Sequence, residues 1–395
     1  MKKKQPEIEN ELKPKRIIVP KNRRAPSAKI KGIKDKDLKM NNNESFILNL
    51  FLPKAIHQES SPGIIGLVNV GPVPYMNAIL QCFGNIIRLR TELLNKDLYN
   101  ILEKDKNTKK LSFALAEVLK NLWENLKHRY FSPENFKNVI SELNPQISEI
   151  TEDKLINLIF FLLNTLHSEL NNPIYNNIIN NDKHPNNSNL NEIYYYFVEY
   201  YKSINNSIIS DEFNGFVDKM IKCENCPNTF HNIETYYYLS FNLEEVSKFK
   251  GYYNCYHVRI NDCFEYNERY VYFSYFNCNQ CGNYSKSYSQ YKLLYIPHTL
   301  IINLEHRKES QFNFNIVFEE FLNLRNFLCQ FNSPFMYELR GAISYFDSHF
   351  IAYCKNINND EWYKYEDKNV TPSSFNEIKE NGLHYVLFYS YLISG

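Results

Sequence analysis

Two Cys-x-x-Cys pairs are the residues best spaced for chemistry in this chain. Cys223-Glu224-Asn225-Cys226 and Cys278-Asn279-Gln280-Cys281 are separated by 51 residues. Each pair can present two sulfurs from one tight turn, and four thiolates in a tetrahedron suit Zn²⁺. Gly282, directly after the second pair, fits the turn such a site needs. The gap exceeds that of a compact zinc ribbon, so strands must run out and back between the pairs. The competing reading is four reduced cysteines without a metal. Cys255 and Cys263, in the intervening stretch, read as incidental. The chain has 9 cysteines, an odd number, and opens on Met1-Lys2-Lys3-Lys4 with no apolar leader, which favours thiols and metal ligation over disulfides.

A second constellation has the wording of an active site without its nucleophile. Residues 66–82 read Gly66-Leu67-Val68-Asn69-Val70-Gly71-Pro72-Val73-Pro74-Tyr75-Met76-Asn77-Ala78-Ile79-Leu80-Gln81-Cys82. This closely resembles the cysteine box of the ubiquitin-specific proteases, papain-like deubiquitinases with the pattern Gly-Leu-x-Asn-x-Gly-x-x-Cys-Tyr-Met-Asn-x-x-Leu-Gln. Every landmark is present except one: Pro74 holds the position of the nucleophilic cysteine. Further on, Ser348-His349-Phe350-Ile351-Ala352-Tyr353 resembles the family's Gly-His-Tyr-x-Ala-Tyr, and Trp362-Tyr363-Lys364-Tyr365-Glu366-Asp367-Lys368-Asn369-Val370 resembles Trp-x-x-Phe-(Asn/Asp)-Asp-x-x-Val. The resemblance implies that His349 stands at the general-base position. It puts Glu366 where the imidazole is oriented, with Asp367 as the acidic residue beside it, and Asn69 as an oxyanion donor. Ser348 replaces a glycine, and Glu366 is one methylene longer than the pattern.

The chemistry that Pro74 removes is specific. Attack on a carbonyl needs a thiolate activated by the imidazole. Proline has no ionisable atom and no backbone N–H, so it takes away the nucleophile and an oxyanion donor together. Loss of one such donor alone lowers rates by roughly 10²–10³. Cys82 lies about two helical turns and roughly 12 Å further on, among apolar neighbours, and reads as core. The family's tail-binding segment before a Leu-x-x-Leu-His-x-Glu helix is reduced here to Glu152-Asp153-Lys154-Leu155-Ile156, while the helix itself, ending Leu166-His167-Ser168-Glu169, is kept. This reads as a helix retained for packing. The resemblance spans residues 63–391.

The elements that must position these residues follow from periodicity. Helical spacing runs from Tyr75 to about Leu94, over Leu111–Leu126 and over Glu152–Leu170. Between residues 171 and 191, 10 of 21 positions are Asn, which reads as an insertion loop. The second half carries Tyr-, Ile- and Val-rich runs at Tyr236–Phe241, Tyr270–Phe276, Tyr291–Tyr295, Leu300–Leu304, Ala342–Tyr345, Phe350–Cys354 and His384–Tyr389. Helices first and strands later predict an α+β fold. The resemblance sharpens this to a helical thumb near 65–170, zinc-bearing fingers near 210–295 and a β palm over 300–391.

Residues 1–62 read as a basic, disordered arm ahead of a domain at 63–395. Residues 1–40 hold 14 Lys/Arg against 5 Asp/Glu, a net of +9, so the rest of the chain carries −8 to reach +1. Lys13-Pro14-Lys15-Arg16 and Lys21-Asn22-Arg23-Arg24 fit an import receptor or nucleic acid, or a merely solvated tail. No apolar run is long enough for a bilayer, so the expected compartment is cytoplasm or nucleus. Three functions stay open. The leading one is an inactive deubiquitinase-like scaffold that binds ubiquitin, a ubiquitin-like protein or a protein complex. The others are a working cysteine-type deubiquitinase and a nuclear ribonucleoprotein component.

Overall fold

The computed structural model describes residues 63–392, except 72, 126–127, 149–153, 175–188, 253–256, 307–313, 330–332 and 334. The basic arm, Glu152 and Asp153, most of the Asn-rich insertion and Cys255 lie outside these residues. Among the described residues, no helix is long and apolar enough to cross a membrane.

Helices dominate to residue 213. Met76–Gly84 is buried along its whole length, which places it at the centre of the molecule. Leu80, Leu119, Ile159 and Leu163 are fully buried beside it, and they come from this helix, from Lys110–Trp123 and from Lys154–Leu170. The helix expected from Tyr75 to Leu94 is two helices. It stops at Asn85, and Ile86 is extended before Ile87–Leu93 begins. The Gly84 carbonyl is instead capped by the buried Arg90 guanidinium at 2.7 Å, whose Cζ lies 3.4 Å from the centre of the Trp123 ring. A break with a satisfied carbonyl is stable, so period alone could not reveal it.

The palm is a mixed sheet in the order 369–373, 362–366, 349–355, 336–346, 383–391, 299–305, 238–242. Its strands alternate between two cores, as the two-residue period of a strand requires. Ile301, Ile343, Ala352, Val386 and Phe388 face the helices. Leu300, Ile302, Ala342, Ile351 and Leu387 face the opposite core.

The fingers are an antiparallel sheet ordered 229–236, 215–223, 284–295, 271–277. One expectation is corrected here. Residues 238–252 and 257–267 do not belong to the fingers: Tyr238–Asn242 pairs in parallel with Thr299–Glu305 of the palm, and helices Leu243–Lys250 and Ile260–Asn267 bury Val246, Ile260 and Phe264 in the palm's outer core. The chain leaves the fingers at Tyr237 and returns at Val271. These short helices carry several polar residues and have little periodicity to show.

Candidate active site and metal centre

The box residues fold into a short strand, a loop and a turn ahead of the central helix. Gly66-Leu67 pairs in parallel with Tyr130-Phe131. A Cβ on Gly66 would lie 2.3 Å from the Lys368 carbonyl, so only glycine allows that approach. Pro74 is not inside the helix: Tyr75 is its N-cap, and Pro74 precedes it. The Met76 N–H donates to the Val73 carbonyl at 3.2 Å, closing a four-residue turn. Tyr75 at φ −98°, ψ −4° has the third-residue geometry of a type I turn. Proline is favoured at the second residue of such a turn, where its fixed φ is already correct. Position 74 therefore accepts proline without strain.

His349 opens a palm strand and is exposed. It pairs with Phe346 across a two-residue hairpin loop, Asp347-Ser348, with φ of +47° and +65°. Two successive positive φ values define a type I′ turn, which favours Asp-Gly. The glycine expected before this histidine is thus a demand of the turn, and Ser348 meets it at a steric cost. Ser348→Gly is expected to raise stability by roughly 0.5–1 kcal/mol, part of the left-handed penalty being offset by the freer unfolded chain. Equal or lower denaturation midpoints for the variant would refute this account.

The His349 Nδ1 bonds to the Asp347 carbonyl at 2.7 Å. Among the described residues it makes no hydrogen bond to Glu366, whose carboxylate instead pairs with Lys364 at 3.3 Å. Asp367 turns to the box. The buried Asn77 amide donates to its Oδ1 at 2.7 Å, and the exposed Asn69 amide donates to its Oδ2 at 3.2 Å. The Leu67 N–H donates to its backbone carbonyl at 2.8 Å. The structure therefore brings Asn69, Asn77 and Asp367 together, and leaves Glu366 and His349 unjoined. Asn77 was a pattern letter without a role in the sequence. The only signal it offered was its place beside the nucleophile position.

Cys82 lies inside the core, its sulfur 3.9 Å from that of Cys354. Burial first, then Cys354 beside it, push its thiol well above the usual range. Such a thiol is inert, which fits a packing role. The His-x-Glu helix end is also structural. His167 bonds to Ser207 and Asn205 at 2.7 and 3.0 Å. Glu169 accepts from the Leu111 and Ser112 N–H groups at 3.1 and 2.7 Å, capping a helix whose own N-cap residue, Lys109, provides no side-chain bond.

At the finger tip the two Cys-x-x-Cys pairs meet. All four sulfurs lie within 4.8 Å of one another, with 3.9 Å from Cys223 to Cys281 and 3.6 Å from Cys226 to Cys278. A metal–sulfur bond of about 2.3 Å gives tetrahedral sulfurs about 3.8 Å apart, so the set fits a bound ion. Both pairs are built alike: the N–H of Cys223 and of Cys278 each donates to the carbonyl five residues on, Asn228 and Asn283, at 3.1 Å. Gly282 is left-handed at φ +67° and completes the second turn. Backbone N–H groups of Cys281 and Gln280 draw the Cys278 thiol down. Cys263 is buried in the palm's outer core, away from this set.

A profile of the ubiquitin carboxyl-terminal hydrolase family matches residues 65–389. The chain belongs to this family. Ubiquitin carboxyl-terminal hydrolase 2 of Homo sapiens is 24% identical over 357 residues, covering 85% of this chain and 56% of that protein. Ubiquitin carboxyl-terminal hydrolase 5 of Saccharomyces cerevisiae is 26% identical over 368 residues, covering 82% of this chain and 44% of that protein. The chain spans about half the length of the curated relatives it matches. Among solved structures, the SAGA Ubp8/Sgf11/Sus1/Sgf73 DUB module bound to ubiquitin aldehyde aligns with a TM-score of 0.63 at 20% identity, over 86% of this chain and 72% of that one. The SAGA DUB module with a substituted Ubp8, bound to monoubiquitin, gives 0.63 at 19%, over 89% and 76%. These structures share the fold. Within the family's architecture, the helical half, the finger sheet and the palm of this chain fall where the resemblance placed them, apart from residues 238–252 and 257–267.

Proposed function

We propose that this ubiquitin carboxyl-terminal hydrolase family member is catalytically silent. It serves as a scaffold that binds ubiquitin or a ubiquitin-like protein within a protein complex, with Zn²⁺ bracing its fingers. Pro74 at the nucleophile position carries the reading: no sulfur and no N–H stand where both are needed. The unjoined Glu366 and His349 support it, as does the buried, inert Cys82. The solved neighbours include a deubiquitinase module holding ubiquitin, which motivates ubiquitin as the first ligand to try.

The purified protein is expected to leave di-ubiquitin intact and to form no adduct with ubiquitin bearing a carboxy-terminal electrophile. Calorimetric titration with ubiquitin is expected to show saturable binding. An adduct mapped to any cysteine would end the silent reading. A flat titration would remove ubiquitin as the ligand while leaving silence intact. Pro74→Cys is expected to remain at least 10²-fold below an active relative, because restoring the sulfur does not restore the imidazole's orienting partner. Activity equal to that of an active relative would show that Glu366 matters little.

A further inference from the structure

The outer half of the finger sheet carries an aromatic face. Tyr272, Tyr275 and Tyr284 are 61%, 57% and 71% exposed, values unusual for rings of this size. They form two pairs. Tyr275 and Tyr284 stack with centroids 5.4 Å apart and planes 15° from parallel. Tyr272 and Tyr288 sit 4.5 Å apart, their hydroxyls bonded at 2.9 Å.

A bulge builds this face. By the alternation of a strand, Tyr272 and Tyr275 should project to opposite sides. Between Phe273 and Phe276 the strand gains one residue against its partner Tyr284–Tyr295. The extra residue brings Tyr275 round to the side of Tyr272, Tyr284 and Tyr288. Re-aiming a side chain in this way is what bulges do at functional surfaces.

Lysines complete the surface. Lys222 is exposed and lies directly opposite Tyr288 in the sheet. Lys286 is exposed and stands between Tyr284 and Tyr288 on the same side of one strand. Glu224 is the carboxylate beside Tyr288. The two ring pairs are about 13 Å apart along the strand, four residues at about 3.3 Å each. Exposed rings on neighbouring strands of an antiparallel sheet, with cations between them, are the elements that hold single-stranded nucleic acid: bases stack on the rings, and ammonium groups meet the phosphates.

We propose that this tyrosine–lysine face binds single-stranded nucleic acid, with bases on the Tyr275/Tyr284 and Tyr272/Tyr288 pairs and a phosphate at Lys286. The proposal stands or falls independently of the reading of the cleft as silent. The test is fluorescence anisotropy of the full chain with labelled 12-nucleotide oligouridylate and oligothymidylate, and with a duplex of the same length. Whichever single strand binds more tightly names the sugar. Single strands should bind more tightly than the duplex. Tyr272→Ala and Tyr284→Ala should each weaken binding about tenfold at unchanged salt dependence, since stacking is not ionic. Tyr284→Phe should bind as the parent does, because it keeps the ring. Lys286→Ala should lower the salt slope by about one.

Wild-type affinity in both Tyr→Ala variants would assign any binding to the basic arm and overturn the proposal. Equal affinity for duplex and single strand, or no binding, would overturn it as well. So would a dimer of the nucleic-acid-free protein in light scattering that Tyr284→Ala abolishes, because the face would then be a protein contact. Unchanged circular dichroism of the variants secures each comparison.

Discussion

Cys278→Ser, or chelation of the intact protein, is expected to open the finger tip while the rest of the domain stays folded. The parent should release one zinc ion per chain. A structural four-thiolate site contributes on the order of 10 kcal/mol or more to the fold around it. Among the described residues of the outer finger strands, Tyr272, Tyr275 and Tyr284 are mostly in water. At the finger base the position is reversed, since Phe216, Ile233, Leu294 and Tyr295 are buried with Tyr194 and Val198 of the helix Leu190–Ile204. Hydrogen exchange should therefore lose protection near Lys222 and Lys286, and keep it at Ile301 and Leu387 in the palm. Elemental analysis finding no metal in the purified protein would refute zinc. Uniform loss of protection across the palm would refute the local character of the collapse.

Acid is expected to destabilise the protein through His384. This histidine is 4% exposed, and its Nδ1 bonds to the buried Ser344 hydroxyl at 2.7 Å. Burial first, then the neighbouring His306, lower its pKa to about 4. The folded protein thus binds this proton less readily than the unfolded chain, whose imidazole titrates near 6.5. The resulting stability is complete above about pH 6.5 and is lost as pH falls toward 4. At about 1.4 kcal/mol per pH unit, the whole effect is about 3 kcal/mol, a large share of a domain's net stability. His167 is lowered by burial as well and acts in the same sense. The decisive measurement is therefore the difference between proteins. Denaturation midpoints of the parent should fall between pH 7 and pH 5, and those of His384→Ala should fall markedly less from a lower start. Parallel pH profiles for the two would show that His384 does not carry the effect.

Much of the fold was legible because its strands obey a two-residue period that separates the two palm cores. The run Leu300–Leu304 shows how far this goes. It is apolar at Leu300, Ile301, Ile302 and Leu304, as a strand buried on both faces must be, and the structure covers it on both sides. The Cys-x-x-Cys pairs were legible for a different reason, since their chemistry fixes their geometry. What could not be read was decided by contacts between distant residues. The break at Asn85 depends on Arg90 reaching back to Gly84. The excursion that begins at Tyr238 depends on a parallel pairing with residues 63 positions further on. In the active-site region, the resemblance put Glu366 at the position that orients the histidine, and the contacts it could not supply are the pair of Glu366 with Lys364 and the bond of Asp367 to Asn77.

The clasp at Asp367 changes what an active-site signature can be taken to report. Its carboxylate and carbonyl hold Asn77, Asn69 and Leu67, so that the loop ahead of the central helix is fastened to a hairpin some 290 to 300 residues away in the chain. These letters form part of the pattern by which a hydrolase of this kind is picked out of a genome. In this molecule their duty is mechanical, and it continues whether or not a substrate is ever cut. A survey that scores such letters as proof of turnover would be counting rivets. The informative position is residue 74, where the type I turn favours proline and the family's pattern has cysteine.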